Sequence, residues 1–236
     1  MSTEIAAAHQ RSRNPRGEGS RLRQDILDAA SDILETTGSS EAITLRAVAR
    51  AVGIAAPSIY AHFPDREAIL DQLCADGFVA FRTALEAAIA PFTDPVERLL
   101  AGCGAYLRYS ADYPRRYRAL FEHPEVRTRQ RPVADYSMAE GAAALNVLVQ
   151  GIADCASAGR SVSQDHFADA VAIWAALHGL ATLRAEMAPT IPWPDQDQLV
   201  IAIVSRLAQL QPSPEAASPL TDDLGSRARQ ARPLVG

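Results

Sequence analysis

The sequence predicts an all-α protein, and three observations carry that expectation. Apolar residues recur at helical spacing along most of the chain. No alternating, strand-like run of useful length occurs, and no internal repeat. Prolines and glycines fall where helices of ordinary length should stop. In a chain of 236 residues, 48% of them apolar, this leaves three short N-terminal helices followed by about six longer ones.

Taken in order, residues 1–19 are polar, with Asn14-Pro15 and two glycines, and read as a disordered basic arm. From Arg21, Leu22, Ile26, Ala29/Ala30 and Ile33/Leu34 trace an amphipathic helix that stops at Thr36-Thr37-Gly38. Thr44 suits an N-cap, with Leu45, Val48 and Val52 on the buried side of the second helix and Gly53 breaking it. Pro57 suits the first turn of a third helix, which Pro64 closes. Asp65 then caps a long helix to about Ala90, with Ile69, Leu73, Phe78, Phe81, Leu85 and Ile89 inside. Further helices are expected at roughly 95–112, 114–122, 132–158, 163–187 and 195–210. The connection HPEVRTRQRP and the loop PTIPWPD separate them, and 211–236 read as a disordered tail.

Composition narrows the function classes. Every basic residue is an arginine. Residues 1–66 carry eight arginines against eight acids, and 67–236 carry fifteen against twenty, so the rear holds the whole net charge of −5. Within the front, RSRNPRGEGSRLR (11–23) has five arginines and one acid, which makes a basic arm rather than a basic protein. No run reaches the ~18–20 apolar residues of a membrane span, and the N-terminus lacks the apolar stretch of a secretory signal. A cytoplasmic protein is expected. Cys74, Cys103 and Cys155 are scattered in apolar helical surroundings and read as buried free thiols rather than a metal site.

Residues 44–63, TLRAVARAVGIAAPSIYAHF, carry the function. Two short helices packed across each other need a small residue at the crossing and a turn residue that tolerates positive φ. Ala49 and Gly53, four apart, are read as supplying both. Ile54 and Ile59 supply the apolar contacts. This is a helix-turn-helix, whose second helix is short enough to enter a DNA major groove. Thr44, Ser58, Tyr60, His62 and Arg66 lie in or beside the two helices, and none is needed for the core. Such hydroxyls and guanidiniums near helix N-termini bind phosphate oxygens. Arg46, in the first turn, can reach a guanine edge with a bidentate fork. A half-buried, structural Tyr60 is the bland alternative.

The run from Ile43 to Leu70, ITLRAVARAVGIAAPSIYAHFPDREAIL, resembles the DNA-binding signature of the tetracycline-repressor (TetR) family. The shared pattern is a Thr-capped helix, Ala-x-x-x-Gly-[Val/Ile], then Pro-[Ser/Thr]-[Leu/Ile]-Tyr-x-[His/Tyr]-Phe and a polar turn ending in Glu-x-[Leu/Ile]-Leu. The resemblance implies a helix-turn-helix DNA-binding domain over 20–65 and a ligand-binding and dimerisation domain over 66–210. It implies DNA contacts from Thr44, Ala56, Pro57, Ser58, Tyr60, His62 and Arg66, with Arg46 as base reader and Phe63 in the core. Ala56 and Ala61 stand where many members carry bulkier or polar groups. Readout then falls to methyl contacts from Ala55, Ala56 and Ala61, or to Arg46, the arm and DNA shape.

In the rear half, VAIWAALHGLATL (171–183) resembles a subgroup named for its Trp-His-Gly residues, here Trp174, His178 and Gly179. Gly179 and the surrounding alanines allow close helix approach, and His178 either bonds a buried neighbour or meets a ligand. The last two helices are implied to form a four-helix dimer interface, with Ile201, Val204, Leu207 and Leu210 as the apolar stripe of the final one. A pocket would be lined by Phe78, Phe81, Tyr106, Tyr109, Tyr117, Phe121, Met138 and Trp174, with His178 beside them, for an apolar or aromatic effector. The partners implied are double-stranded palindromic DNA, a small-molecule effector and a second copy of the chain, with no membrane, metal or cofactor. A ligand-released repressor is the leading reading, an activator or an unresponsive DNA-binding protein the alternative. A helical enzyme built on Asp165, His166 and Asp169, or on Glu122, His123 and Glu125, has no recognised metal or acid–base spacing.

Overall fold

The computed structural model describes residues 18–121, 135–187 and 190–212, with side chains from 20 onward and, in the helix that opens at 135, from 139. Most of the basic arm, the 122–134 connection with Glu122, His123 and Glu125, the side chain of Met138 and the tail from 213 therefore lie outside the described residues. No strand occurs among the described residues; the chain is all-α. Eight α-helices are described: α1 (Glu18–Thr37), α2 (Leu45–Val52), α3 (Arg66–Ile89), α4 (Pro95–Asp112), α5 (Pro114–Phe121), α6 (Asp135–Ser157), α7 (His166–Met187) and α8 (Gln196–Leu207). Two 3-10 segments, Ser40–Ala42 and Ala56–Ala61, flank α2. The chain divides into two compact units, Met1–Ala80 with Tyr113–Gly141, and Phe81–Asp112 with Ala142–Gly236.

The first unit is built around α1, α2, the 3-10 segment Ala56–Ala61 and the start of α3. Ile26, Ala30, Ile43, Val48, Ile59 and Ile69 have no exposed surface, and Leu27, Ala49 and Phe63 nearly none. Each large apolar side chain so buried contributes roughly 1.5–3 kcal/mol. Leu22, Ala29, Ile33 and Leu34 pack at the edge of that core, so α1 buries the stripe its spacing predicts, widened by Leu27. α5 belongs to this unit. A Cβ on Gly77 would come within 2.8 Å of the Leu120 side chain, so glycine in α3 admits α5 at that point. Arg116 Nε bonds Glu35 Oε1 of α1 at 2.5 Å, and Arg115 donates to the Thr36 carbonyl at 3.3 Å. Cations at the end of α1 also suit the partial negative charge there.

The second unit centres on α4, α6, α7 and α8, with Leu99, Cys103, Tyr106, Ile152, Cys155, Ile173, Leu177, Val200 and Val204 buried. Asp94 caps α4 by accepting from the Val96 and Glu97 N–H groups (2.8 and 3.0 Å), and its other oxygen takes Arg160 Nη1 at 3.0 Å. Asp165 caps α7 through the Ala168 N–H (2.9 Å), and Asp195 caps α8 through Gln198 (3.0 Å). The last helix is shorter than its apolar spacing predicts. It ends at Leu207, because Gln209 takes φ +51 and the chain turns to pair Leu210 with Ser161 in an isolated bridge. Ser161 Oγ donates to the freed Ala208 carbonyl at 2.6 Å. Val200, Val204 and Ala208 face the unit's own core, so Val204 of the expected stripe packs inward, whereas Ile201 is 49% exposed.

Burial settles the thiols. Cys103 and Cys155 are buried and Cys74 half-buried, and none is in a disulfide. Burial first, then the neighbouring Cys155 sulfur, pushes the Cys103 thiol up to about 12, and burial pushes Cys155 to about 11. Among the described residues no group of three or more His, Cys, Asp or Glu could hold a metal ion.

Candidate nucleic-acid interface

α2 begins at Thr44, whose Oγ1 accepts the Ala47 N–H at 3.1 Å, the N-cap bond its position predicts. It ends at Gly53, in the left-handed region with φ 79 and ψ 29. The Ile54 N–H reaches back to the Ala49 carbonyl at 2.9 Å, which completes a Schellman-type stop. Gly53 and Ala49 divide the two tasks read for them, the positive φ at Gly53 and the small residue at Ala49. A Cβ there would have no heavy atom within 4 Å, so glycine serves the backbone angle alone, and the small residue at the crossing is Ala49, 3% exposed.

The expected third helix is a 3-10 segment. Pro64 bars extension, and the six residues before the turn are too few to establish an α-helix. The turn bonds instead run Ser58 N–H to Ala55 (2.8 Å) and His62 N–H to Ile59 (2.8 Å). At ~2.0 Å rise, six residues span about 12 Å, the width of a major groove. Three residues per turn also sort the side chains. Ala56, Ile59 and His62 share one face, and they are half-buried, fully buried and half-buried. Pro57 and Tyr60 share a second face, Ser58 and Ala61 the third, and all four are exposed, Tyr60 at 59%. The half-buried Tyr60 alternative is thereby excluded. Of the residues predicted to meet DNA, Thr44, Arg46, Pro57, Ser58 and Tyr60 lie on the exposed surface of α2 and this segment, while Ala56 and His62 sit at its inner edge.

Two arginines turn inward. Arg23 lies 4.8 Å over the Phe63 ring, and its Nη2 donates to Gln72 Oε1 at 2.8 Å. Its cation is thus spent inside the unit, which removes it from the basic arm. Arg66, expected at a phosphate, gives Nε to the Ile43 carbonyl (2.7 Å) and Nη2 to the Ser40 carbonyl (2.6 Å), with Nη1 3.7 Å from Glu67 Oε1. Conversely, Arg50 was not singled out in the sequence, yet it is exposed one helical turn after exposed Arg46. The i,i+4 spacing was the signal that could have found it.

The aromatic residues named for a pocket divide between the units. In the first, Phe78 meets Phe121 edge-on at 5.6 Å and Tyr117 packs on Phe121 at 4.9 Å. In the second, Phe81 meets Tyr106 and Tyr109 edge-on at 5.4 and 5.0 Å, and Tyr106 Oη lies 3.4 Å from His178 Nδ1. Trp174 stands 6.5 Å from His178, one turn away on α7. His178 therefore has a neighbour inside its own unit. Asp165, once a candidate acid or ligand, is an α7 cap, and Asp169 accepts from Gln209 at 3.1 Å.

A left-handed glycine stop, a groove-sized second segment and outward hydroxyl and guanidinium groups define a helix-turn-helix DNA-binding regulator. Residues 26–73 match the family model of bacterial regulatory proteins of the tetR family, and residues 99–207 match the tetracyclin repressor-like C-terminal domain. The chain belongs to the TetR family and is a ligand-responsive DNA-binding transcriptional regulator. Proteins of this family are generally not enzymes. No curated protein matches the sequence. A solved protein of unknown function from Rhodococcus sp. RHA1 shares 25% identity at a TM-score of 0.68, over 87% of this chain and 98% of its own. A tetR-family regulatory protein from Rhodococcus RHA1 shares 21% at 0.59, over 80% and 96%. FadR from Bacillus subtilis, solved with stearoyl-CoA, shares 17% at 0.62, over 78% and 97%, which speaks to fold alone.

Proposed function

We infer that the chain is a cytoplasmic repressor that holds a palindromic operator as a homodimer and releases it on binding a small apolar or aromatic molecule. Residues 20–65 serve as the DNA-binding domain and 66–210 as the effector and dimerisation domain. The observation that carries the reading is the sorting of the 3-10 segment: Ile59 is fully buried while Ser58 and Tyr60 on either side face outward. A packing role alone gives no reason to leave a tyrosine 59% exposed beside that anchor. Arg46 and Arg50 add to it. Two like charges one turn apart cost an isolated helix about 0.2–0.5 kcal/mol, a cost that a phosphate backbone reverses. In this reading Ser58, Tyr60, Thr44 and Arg50 hold phosphates, and Arg46 reads a base edge. Ala56, Pro57 and His62 fix the segment against the groove.

The dimer is supported by α7 and α8. Phe167, Leu183, Met187, Ile191 and Ile201 are exposed in the single chain, at 61, 45, 40, 37 and 49%. α7 is long and apolar enough to cross a membrane by length and composition, yet only 28% of its most apolar window is buried. A second copy covers that surface, and it also supplies the second recognition segment about 34–36 Å away.

The test is a gel shift on the DNA upstream of the chain's own coding region, with and without apolar candidate ligands. Binding that a ligand abolishes supports a released repressor; binding that needs the ligand supports an activator. Arg46→Ala should relax sequence preference at one position per half-site, by about 1–3 kcal/mol. An equal loss for every sequence would move Arg46 to a phosphate.

A further inference from the structure

We propose that Arg66 is a positioning residue of the DNA-binding unit, which sets the start of α2, rather than a group that touches DNA; this rests on the DNA-binding reading above. Arg66 opens α3, next to the Asp65 carboxylate that caps that helix through the Ala68 N–H at 2.8 Å. Its guanidinium spans back 23 and 26 residues, to the carbonyls of Ile43 (2.7 Å) and Ser40 (2.6 Å). Ile43 is fully buried and immediately precedes Thr44, the N-cap of α2. The chain that leaves Ile43 and returns at Arg66 contains Arg46, Arg50, Ser58 and Tyr60, so the fork closes the base of the whole helix-turn-helix. The side chain keeps 27% of its surface exposed, but each of its three nitrogens already faces an oxygen of the protein.

The geometry needs an arginine. The fork offers two donors at fixed separation, one for each carbonyl, and charge-assisted bonds of this kind are about twice as strong as neutral ones. A lysine ammonium keeps the charge but is a point donor on a flexible stem. At a phosphate contact, Arg66→Lys would be nearly silent. At this fork it should not be. An unbraced Ile43 lets the first turn of α2, with Arg46, drift from the register that the 3-10 segment sets.

The experiment compares wild type, Arg66→Lys and Arg66→Ala on two duplexes, one selected from random sequence by the wild-type chain and one unrelated duplex of equal length. Affinities are measured across a salt series, well below each variant's melting temperature. The expected result is a loss of about tenfold on the selected duplex for both variants, a much smaller loss on the unrelated one, and an unchanged slope of log K against log salt. A lost phosphate contact would instead lower the slope by ~0.9 per protomer in Arg66→Ala, weaken both duplexes alike and spare Arg66→Lys. That outcome overturns the proposal. Variants that melt earlier but bind the selected duplex as wild type does would overturn it too, since the bond would then matter only to stability. Should Arg66→Ala fail to fold, Arg66→Lys alone separates the cases. A wild-type chain that selects no DNA removes the underlying reading and is distinct from all of these.

Discussion

Replacing Gly53 by alanine isolates one backbone angle, because the structure has removed the usual confusion between strain and clash. Gly53 sits at φ 79, where an L-residue pays roughly 1–2 kcal/mol for the approach of its Cβ to its own carbonyl. A Cβ at that position would meet no heavy atom within 4 Å, so no steric cost from neighbours adds to it. Alanine also narrows the unfolded ensemble, which returns about 0.4–1 kcal/mol. The net expectation is a destabilisation of about 1 kcal/mol. In a melt of the whole chain that is a fall of about 2–4 °C, and about 4–8 °C if the first unit melts separately. Gly53→Asn should lose less, because asparagine visits the left-handed region more readily than alanine. Urea denaturation followed by circular dichroism gives both numbers, with an unchanged m-value as the control. Alanine as stable as wild type would mean the turn does not need positive φ. Losses of about 3 kcal/mol or more, equal for alanine and asparagine, would mean the new Cβ meets atoms, and the empty space beside Gly53 would be refuted.

Gly179→Leu probes the opposite situation on α7. No heavy atom lies within 4 Å of a Cβ there, so the isolated fold should tolerate the change. Across the symmetric α7 contact of the proposed homodimer, overpacking costs about 1–3 kcal/mol at each of two equivalent sites, which would weaken that dimer at least about thirtyfold. Sedimentation velocity should show a folded monomer, and a persistent dimer would place the contact elsewhere. Thiol titration tests the second unit's core. At pH 8 only Cys74 should react with an aromatic disulfide reagent in the native chain, and all three cysteines once it is unfolded. The pH dependence has a definite sign. Both buried thiols have folded values raised above the ordinary 9, to about 12 and about 11, so the unfolded chain loses those protons first. Their contribution is complete below pH 9 and is lost as pH climbs towards 12; unchanged urea midpoints across that window would contradict the burial of Cys103.

What was legible in the sequence is what acts within a few residues. Thr44, Gly53, Pro57 and Asp65 each do their work on amides one to five positions away, so residue type and spacing were enough to place the caps and the turn. The 3-10 winding of Ala56–Ala61 was missed although its cause is equally local, because the expectation stopped at helix existence and did not weigh how few residues precede Pro64. The end of α8 was misread for a different reason. Its brake is Ser161, 47 residues away, which binds the Ala208 carbonyl, and no apolar periodicity reports such a partner. Phe78 and Phe81 were legible as inward-facing, but spacing along a helix carries no information on which unit each ring joins. Phe78 and Phe81 lie three positions apart on α3 and pack in different units.

The arginines show most sharply where composition stops informing function. With no lysine in the chain, every cation has the same chemistry, and charge counting treats Arg23, Arg46, Arg50 and Arg66 as equivalent contributors to a DNA-facing surface. Long-range geometry divides them. Arg23 covers the Phe63 ring and Arg66 forks onto two carbonyls, whereas Arg46 and Arg50 remain exposed on one face of α2. The sorting follows from what a guanidinium does well. Its planar face stacks on a ring, its paired donors match two carbonyls, and neither act is open to an ammonium of the same charge. A salt series on the intact protein should then register Arg50, which the proposed reading sets at a phosphate, and omit the inward Arg23 and Arg66. The slope is set by which cations the fold leaves unspent, not by how many the helix-turn-helix contains.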